Sequence, residues 1–177
     1  MKTYQKLLGT SCLALYLVGC GSGGGAESPV EISKNSEGEF QINSKADSVT
    51  IQGVKLNRGN CVVNFVLVKE TLQVALSQMD DILALGQMGA LLSQITPISM
   101  QDFKDMASVY KEFNNKEGVA NTENMENKIS QLEQKGVMME SQTLKFGESL
   151  KGFSQGCNII EAEIQTDKGA WTFNFNR

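Results

Sequence analysis

The sequence predicts an α+β domain: a small antiparallel β-sheet or half-open barrel of about five or six strands, with a three-helix insertion and one disulfide. Three observations predict it. Apolar and polar residues alternate over 40–56 and again over 160–175, the period of half-buried strands. Between them, over about 70–140, the period changes to that of amphipathic helices. Cys61 and Cys157 bracket the change.

The elements follow in chain order. Phe40 and Ile42 alternate with polar neighbours, and after a break over Ser44–Asp47 the alternation resumes at Val49 and Ile51. Gly53 interrupts it, which suggests a bulge or bend before Val54 and Leu56. Asn57-Arg58-Gly59-Asn60 reads as a turn, and the apolar, β-branched run from Cys61 to Val68 reads as a further strand. From Glu70 to Ile95 the spacing is helical, with Leu72, Leu76, Met79 and Leu83 on one line and Leu85, Met88, Leu92 and Ile95 on another; Pro97 ends the helix. Gly86 and Gly89 inside it cost about 1 kcal/mol each relative to alanine, and either allow close helix contact or mark a break.

Ser99 opens a second helix, with Asp102 three residues on as in a capping box. Met100, Phe103, Met106, Tyr110 and Phe113 form a narrow apolar stripe on it and are the candidate partner-binding residues. Seven of the eight methionines lie from Met79 to Met139. Such enrichment marks either an adaptable binding surface or a core that tolerates imprecise packing. Core is the favoured reading, because an exposed aromatic and methionine stripe promotes aggregation. The polar stretch over 114–124 reads as a loop, leading to a third helix through Met125, Ile129 and Leu132 that ends near Lys135-Gly136. Leu144–Leu150 adds a strand. A hairpin closes the chain: Ile160, Ala162 and Ile164 oppose Glu161, Glu163 and Gln165, and Trp171, Phe173 and Phe175 alternate after the turn at Asp167-Lys168-Gly169. At period two these aromatics read as core rather than as a ligand platform.

The N-terminus reads as a targeting segment. Lys2 and Lys6 precede an apolar stretch from Leu7 to Val18, shorter than the roughly 20 residues that span a bilayer and of the size of a signal-peptide core. It ends in Leu17-Val18-Gly19-Cys20, which resembles the lipobox of bacterial lipoprotein precursors at all four positions. The resemblance implies cleavage after Gly19, a thioether from Cys20 to diacylglycerol, and acylation of the new amine. Two or three chains make a lasting anchor, where a single chain binds marginally. Gly21, rather than aspartate, follows the cysteine, and this points to the outer membrane; a Gram-positive host would instead place the protein on the outer face of its single membrane. The expected organisation is a signal peptide over 1–19, a flexible Gly/Ser-rich tether over 20–38 and a single α+β domain over 39–177 with its helical insertion at about 70–140.

Removing residues 1–19 leaves 158 of 177 residues, and takes away two lysines and no acid, so the net charge moves from −4 to −6. Nucleic acid and an anionic membrane surface are poor expected partners for such a domain. With Cys12 lost and Cys20 lipidated, Cys61 and Cys157 remain as an even pair in an exported protein, most simply a disulfide. The chain has no histidine, no phosphate loop, no nucleophile elbow and no metal-ligand cluster, and Asp80 and Asp81 diverge on a helix. The expectation is therefore a protein that is not an enzyme and carries no cofactor or metal: a binding or assembly module for an envelope protein, held to the membrane through Cys20. The alternatives are a carrier of an apolar small molecule or lipid and a surface host-interaction protein.

Overall fold

The computed structural model describes residues 27–67, 92–112 and 116–175. The class is α+β: seven strands, rather than about five or six, form two antiparallel sheets that do not close on each other. One sheet has the order β1-β2-β5, with β1 at Val30–Lys34, β2 at Glu39–Ser44 and β5 at Ser149–Phe153. The other has the order β4-β3-β6-β7, with β3 at Ser48–Leu56, β4 at Gln142–Lys145, β6 at Glu161–Thr166 and β7 at Gly169–Asn174.

Two of the strands were not expected. β1 lies in the stretch expected to be tether, and pairs with β2 from Val30↔Ser44 to Lys34↔Phe40. Order thus begins before Glu39, which corrects the expected 20–38 boundary. Only Val30 and Ile32 are apolar in β1, so its composition reads as polar linker; the ladder with β2 recruits it. Leu144–Leu150 is also two strands rather than one. β4 and β5 belong to different sheets, and the chain turns between them at Phe146 and Gly147, the latter at φ 78°. Other elements fall where the pattern puts them. The β3–β6 ladder shifts register between Ile51 and Gly53, and the β6–β7 hairpin runs from Glu161↔Asn174 to Thr166↔Gly169.

Inward residues of both sheets share one core that includes Phe40, Ile42, Val49, Ile51, Leu56 and Ile164. Phe173 and Phe175 pack against it half-buried, because β7 is an edge strand. Ile159, rather than Ile160, is buried ahead of β6. A second cluster lies among the helices: Leu92, Met106, Val109 and Tyr110, with Val66, Ile95 and Met125 against it.

Two helices are described, α1 at Met100–Glu112 and α2 at Lys116–Gln134, and they pack on each other. Residues 92–94 are helical; the rest of the helix expected over Glu70–Ile95 falls largely outside the described residues. α2 begins at Lys116, inside the stretch expected to be loop. Its inward side starts with Gly118 and Thr122, both buried, so the helical period there is carried by small and polar residues that hydrophobicity does not reveal.

The pairing gives the two-sheet body an entry end and a helix end. At the entry end the Lys45 amide donates to the Pro29 carbonyl at 2.8 Å, Gly147 to Ser44 at 3.0 Å and Phe146 to Asp47 at 3.3 Å. The β6–β7 turn is there too, Asp167 accepting from the Thr50 amide at 2.8 Å. At the helix end the Ser154 amide donates to Gly38 at 2.9 Å, and Lys34 lies over the Phe175 ring at 5.7 Å.

Candidate functional site

The helix end is where unlike stretches of chain converge. β3 runs into a 3₁₀ turn over Asn57–Gly59, in which Asn57 and Arg58 take positive φ of 49° and 60°. Asparagine tolerates that conformation because its short amide bonds locally. Asn57 Nδ2 donates to the Asn158 carbonyl at 2.9 Å and to Cys61 Sγ at 3.0 Å, and its Oδ1 accepts from the Ile160 and Glu161 amides at 2.9 and 3.1 Å. One side chain thus joins the turn to the start of β6. Beside it the Cys61–Cys157 disulfide is present, its Cα atoms 5.9 Å apart across 96 positions of sequence.

The run after Cys61 is not a strand over 61–67. It makes two isolated bridges, Leu56↔Cys61 and Asn64↔Phe153, and the reason lies in Asp102. This side chain is fully buried, and its carboxylate accepts from the Phe65 amide at 3.1 and 3.2 Å, from Val66 at 3.2 Å, from Ile98 at 3.3 Å and from Ser99 at 2.8 Å. Backbone donors that a sheet neighbour would have taken go to a helix side chain instead. Ser99 Oγ accepts from the Asp102 amide at 3.1 Å, so the expected capping box forms, and its acid also holds a second segment in place. Phe65 completes the attachment with an edge-on contact to Phe40, ring centroids 6.0 Å apart. Ser99 bridges Met139, Met100 donates to the Met138 carbonyl at 2.9 Å, and Glu140 to Ile98 at 2.9 Å.

Between these stretches lies a groove of about 200 Å³, with Cys61–Phe65 on one wall, Met100 and Lys104 on another, and Met138 and Met139 beneath. Val62 and Met138 are 53% and 44% exposed at its edge. A wider cleft of about 790 Å³ lies between the β1–β2 turn, Phe65–Leu67 and Lys151–Phe153, with Lys34, Glu37 and Lys151 among its polar lining.

The structure separates the members of the predicted stripe. Phe103, Met106 and Tyr110 are buried, Met106 and Tyr110 in the helical cluster rather than against a sheet. Burial pushes the Tyr110 phenol above its ordinary value of 10. Met100 is half-buried and lines the groove. Phe113 and Cys20 lie outside the described residues. The acids on the outer face of β6 are in ion pairs, Glu161 with Arg58 at 3.2 Å and Glu163 with Lys55 at 3.7 Å. Among the described residues no group of three or more Cys, Asp or Glu is placed to hold a metal ion, and no helix is long and apolar enough to cross a membrane. Sequence reasoning missed Asn57 and the reach of Asp102 to Phe65; the signal for the latter was the acid at the third position of a helix, whose second partner depends on tertiary contact. The chain matches no protein-family profile, no curated protein and no solved structure.

Proposed function

We propose that this chain is a lipid-anchored lipoprotein of the bacterial cell envelope, most consistent with the outer membrane, and that it works as a non-catalytic binding or assembly module. The observation that carries the proposal is Leu17-Val18-Gly19-Cys20 followed at once by Gly21-Ser22-Gly23-Gly24-Gly25: a thiol placed for lipidation, then a glycine-rich stretch suited to a flexible tether. The Cys61–Cys157 disulfide supports an oxidising compartment. The groove flanked by Val62, Met100 and Met138 supports contact with a protein partner, since it joins adaptable apolar side chains to a rigid, crosslinked wall.

Mass spectrometry of the mature N-terminal peptide tests the anchor. The expected peptide begins at Cys20 and carries the diacylglycerol thioether, and Cys20→Ala accumulates as a precursor that leaves the membrane fraction. A mature wild-type N-terminus without lipid overturns the proposal. A second reading, a carrier of an apolar small molecule or lipid, draws on the wider cleft, whose volume of about 790 Å³ is that of many small-molecule sites. Native mass spectrometry of the purified mature protein separates the two, a co-purifying ligand mass favouring the carrier.

A further inference from the structure

We infer that the turn at Phe146 is a membrane-contact point: with the chain held by lipid on Cys20, the Phe146 ring enters the interfacial layer of the same bilayer and orients the domain upon it. The inference rests on the lipoprotein reading above. Phe146 is 70% exposed, the most exposed large hydrophobic residue among the described residues and the only aromatic in that group. The turn does not need it. Gly147 supplies the positive φ, and Phe146 contributes its amide to Asp47, a bond any non-proline residue would make. At 70% exposure the ring is free to meet an apolar layer.

What meets it follows from where the tethered chain enters. The Lys45 amide bonds Pro29 and the Lys45 ammonium pairs with Glu27, so the first described residues lie in the same corner as the Phe146 turn. Seven residue steps separate Cys20 from Glu27. At 3.3–3.6 Å each they reach at most about 25 Å. The entry end therefore stays beside the lipid. The helix end is separated from that corner by the length of β3, nine residues or about 30 Å. Of the other exposed large hydrophobics, Val62, Leu67, Met138 and Ile160 belong to the helix end and Val119 to α2; Phe146 alone is at the entry end. Lys145 next to it is a long cation that can extend to headgroups while the ring inserts. Of the acids at this end, Glu27 is paired with Lys45, Glu148 accepts from the Lys145 amide at 2.8 Å and Asp167 from the Thr50 amide at 2.8 Å, and Asp47 adjoins the turn.

The test uses mature lipidated protein in phosphatidylethanolamine–phosphatidylcholine vesicles that contain a nitroxide-headgroup lipid. Ser149→Cys and, separately, Val119→Cys are labelled with one fluorophore, each with Phe146 kept and again with Phe146→Ser; the native cysteines are occupied by lipid and disulfide. Both positions are exposed, and unchanged melting of each variant checks its fold. The expected result is quenching at position 149 at least threefold stronger than at 119, falling at least twofold when Phe146→Ser is added; quenching at 149 unchanged by Phe146→Ser overturns the membrane contact. Vesicle retention with equal quenching at the two positions overturns the membrane contact and leaves the lipid anchor standing. Failure of the vesicles to retain the wild-type protein overturns the anchor, and the contact with it.

Discussion

A carboxylate offers about four acceptor sites, and Asp102 spends them on backbone amides from 65–66 and 98–99. Asn64 Nδ2 approaches as well, at 3.4 Å. Every partner is a donor, so the side chain must present oxygen on both arms. Asp102→Asn replaces one oxygen with a donor facing donors and is expected to lower stability by about 2–4 kcal/mol in denaturant unfolding, from hydrogen bonds to a charged group lost and amides left unpaired. Ser99→Ala, which removes only the cap, should cost about 1 kcal/mol. Equal losses for the two variants would mean that Asp102 is a helix cap and no more. The Ser99–Asp102 spacing made the cap legible in sequence. The contact with Phe65, 37 positions away, was not legible, because it depends on where a distant segment is held.

At the scale of elements, what the sequence revealed was whatever packs on one face with a fixed period. Phe40 and Ile42, Val49 and Ile51, and Ala162 and Ile164 all alternate and all are buried in strands. Where side chains and backbone serve different masters the pattern misleads: the run after Cys61 is rich in β-branched residues, yet its Phe65 and Val66 amides go to Asp102 of α1. Likewise α2 starts on Gly118 and Thr122, too small and polar to announce a helix. The stripe on α1 was legible as a stripe, but not its neighbour. Phe103 is 6% exposed, so Phe103→Ala is expected to cost about 3–5 kcal/mol, as truncations of buried aromatics do. A loss below about 1 kcal/mol, measured by thermal or denaturant unfolding, would instead return the stripe to the role of a binding surface.

At the scale of the molecule, the described residues form two apolar clusters of unequal size, joined through 61–67 and through the paired stretches at Ile98–Met100 and Met138–Glu140. Opening free energy follows buried contact, so amides of α1 and α2 should exchange with solvent at lower free energy than those of β3 and β6. Native-state hydrogen exchange read peptide by peptide checks this; uniform protection across both clusters would show them to be one cooperative unit. The disulfide has a further consequence for a protein exposed to proteases. Cys61 and Cys157 lie outside α1 and α2 in the chain, so a cut anywhere from 62 to 156 opens a covalent ring without dividing the molecule. Two cuts would excise the helices and still leave the N-terminal strands bonded to the C-terminal hairpin. Nicked protein would therefore migrate as one species until a reductant is added, and the helical segment could be lost while the strands to either side stay linked.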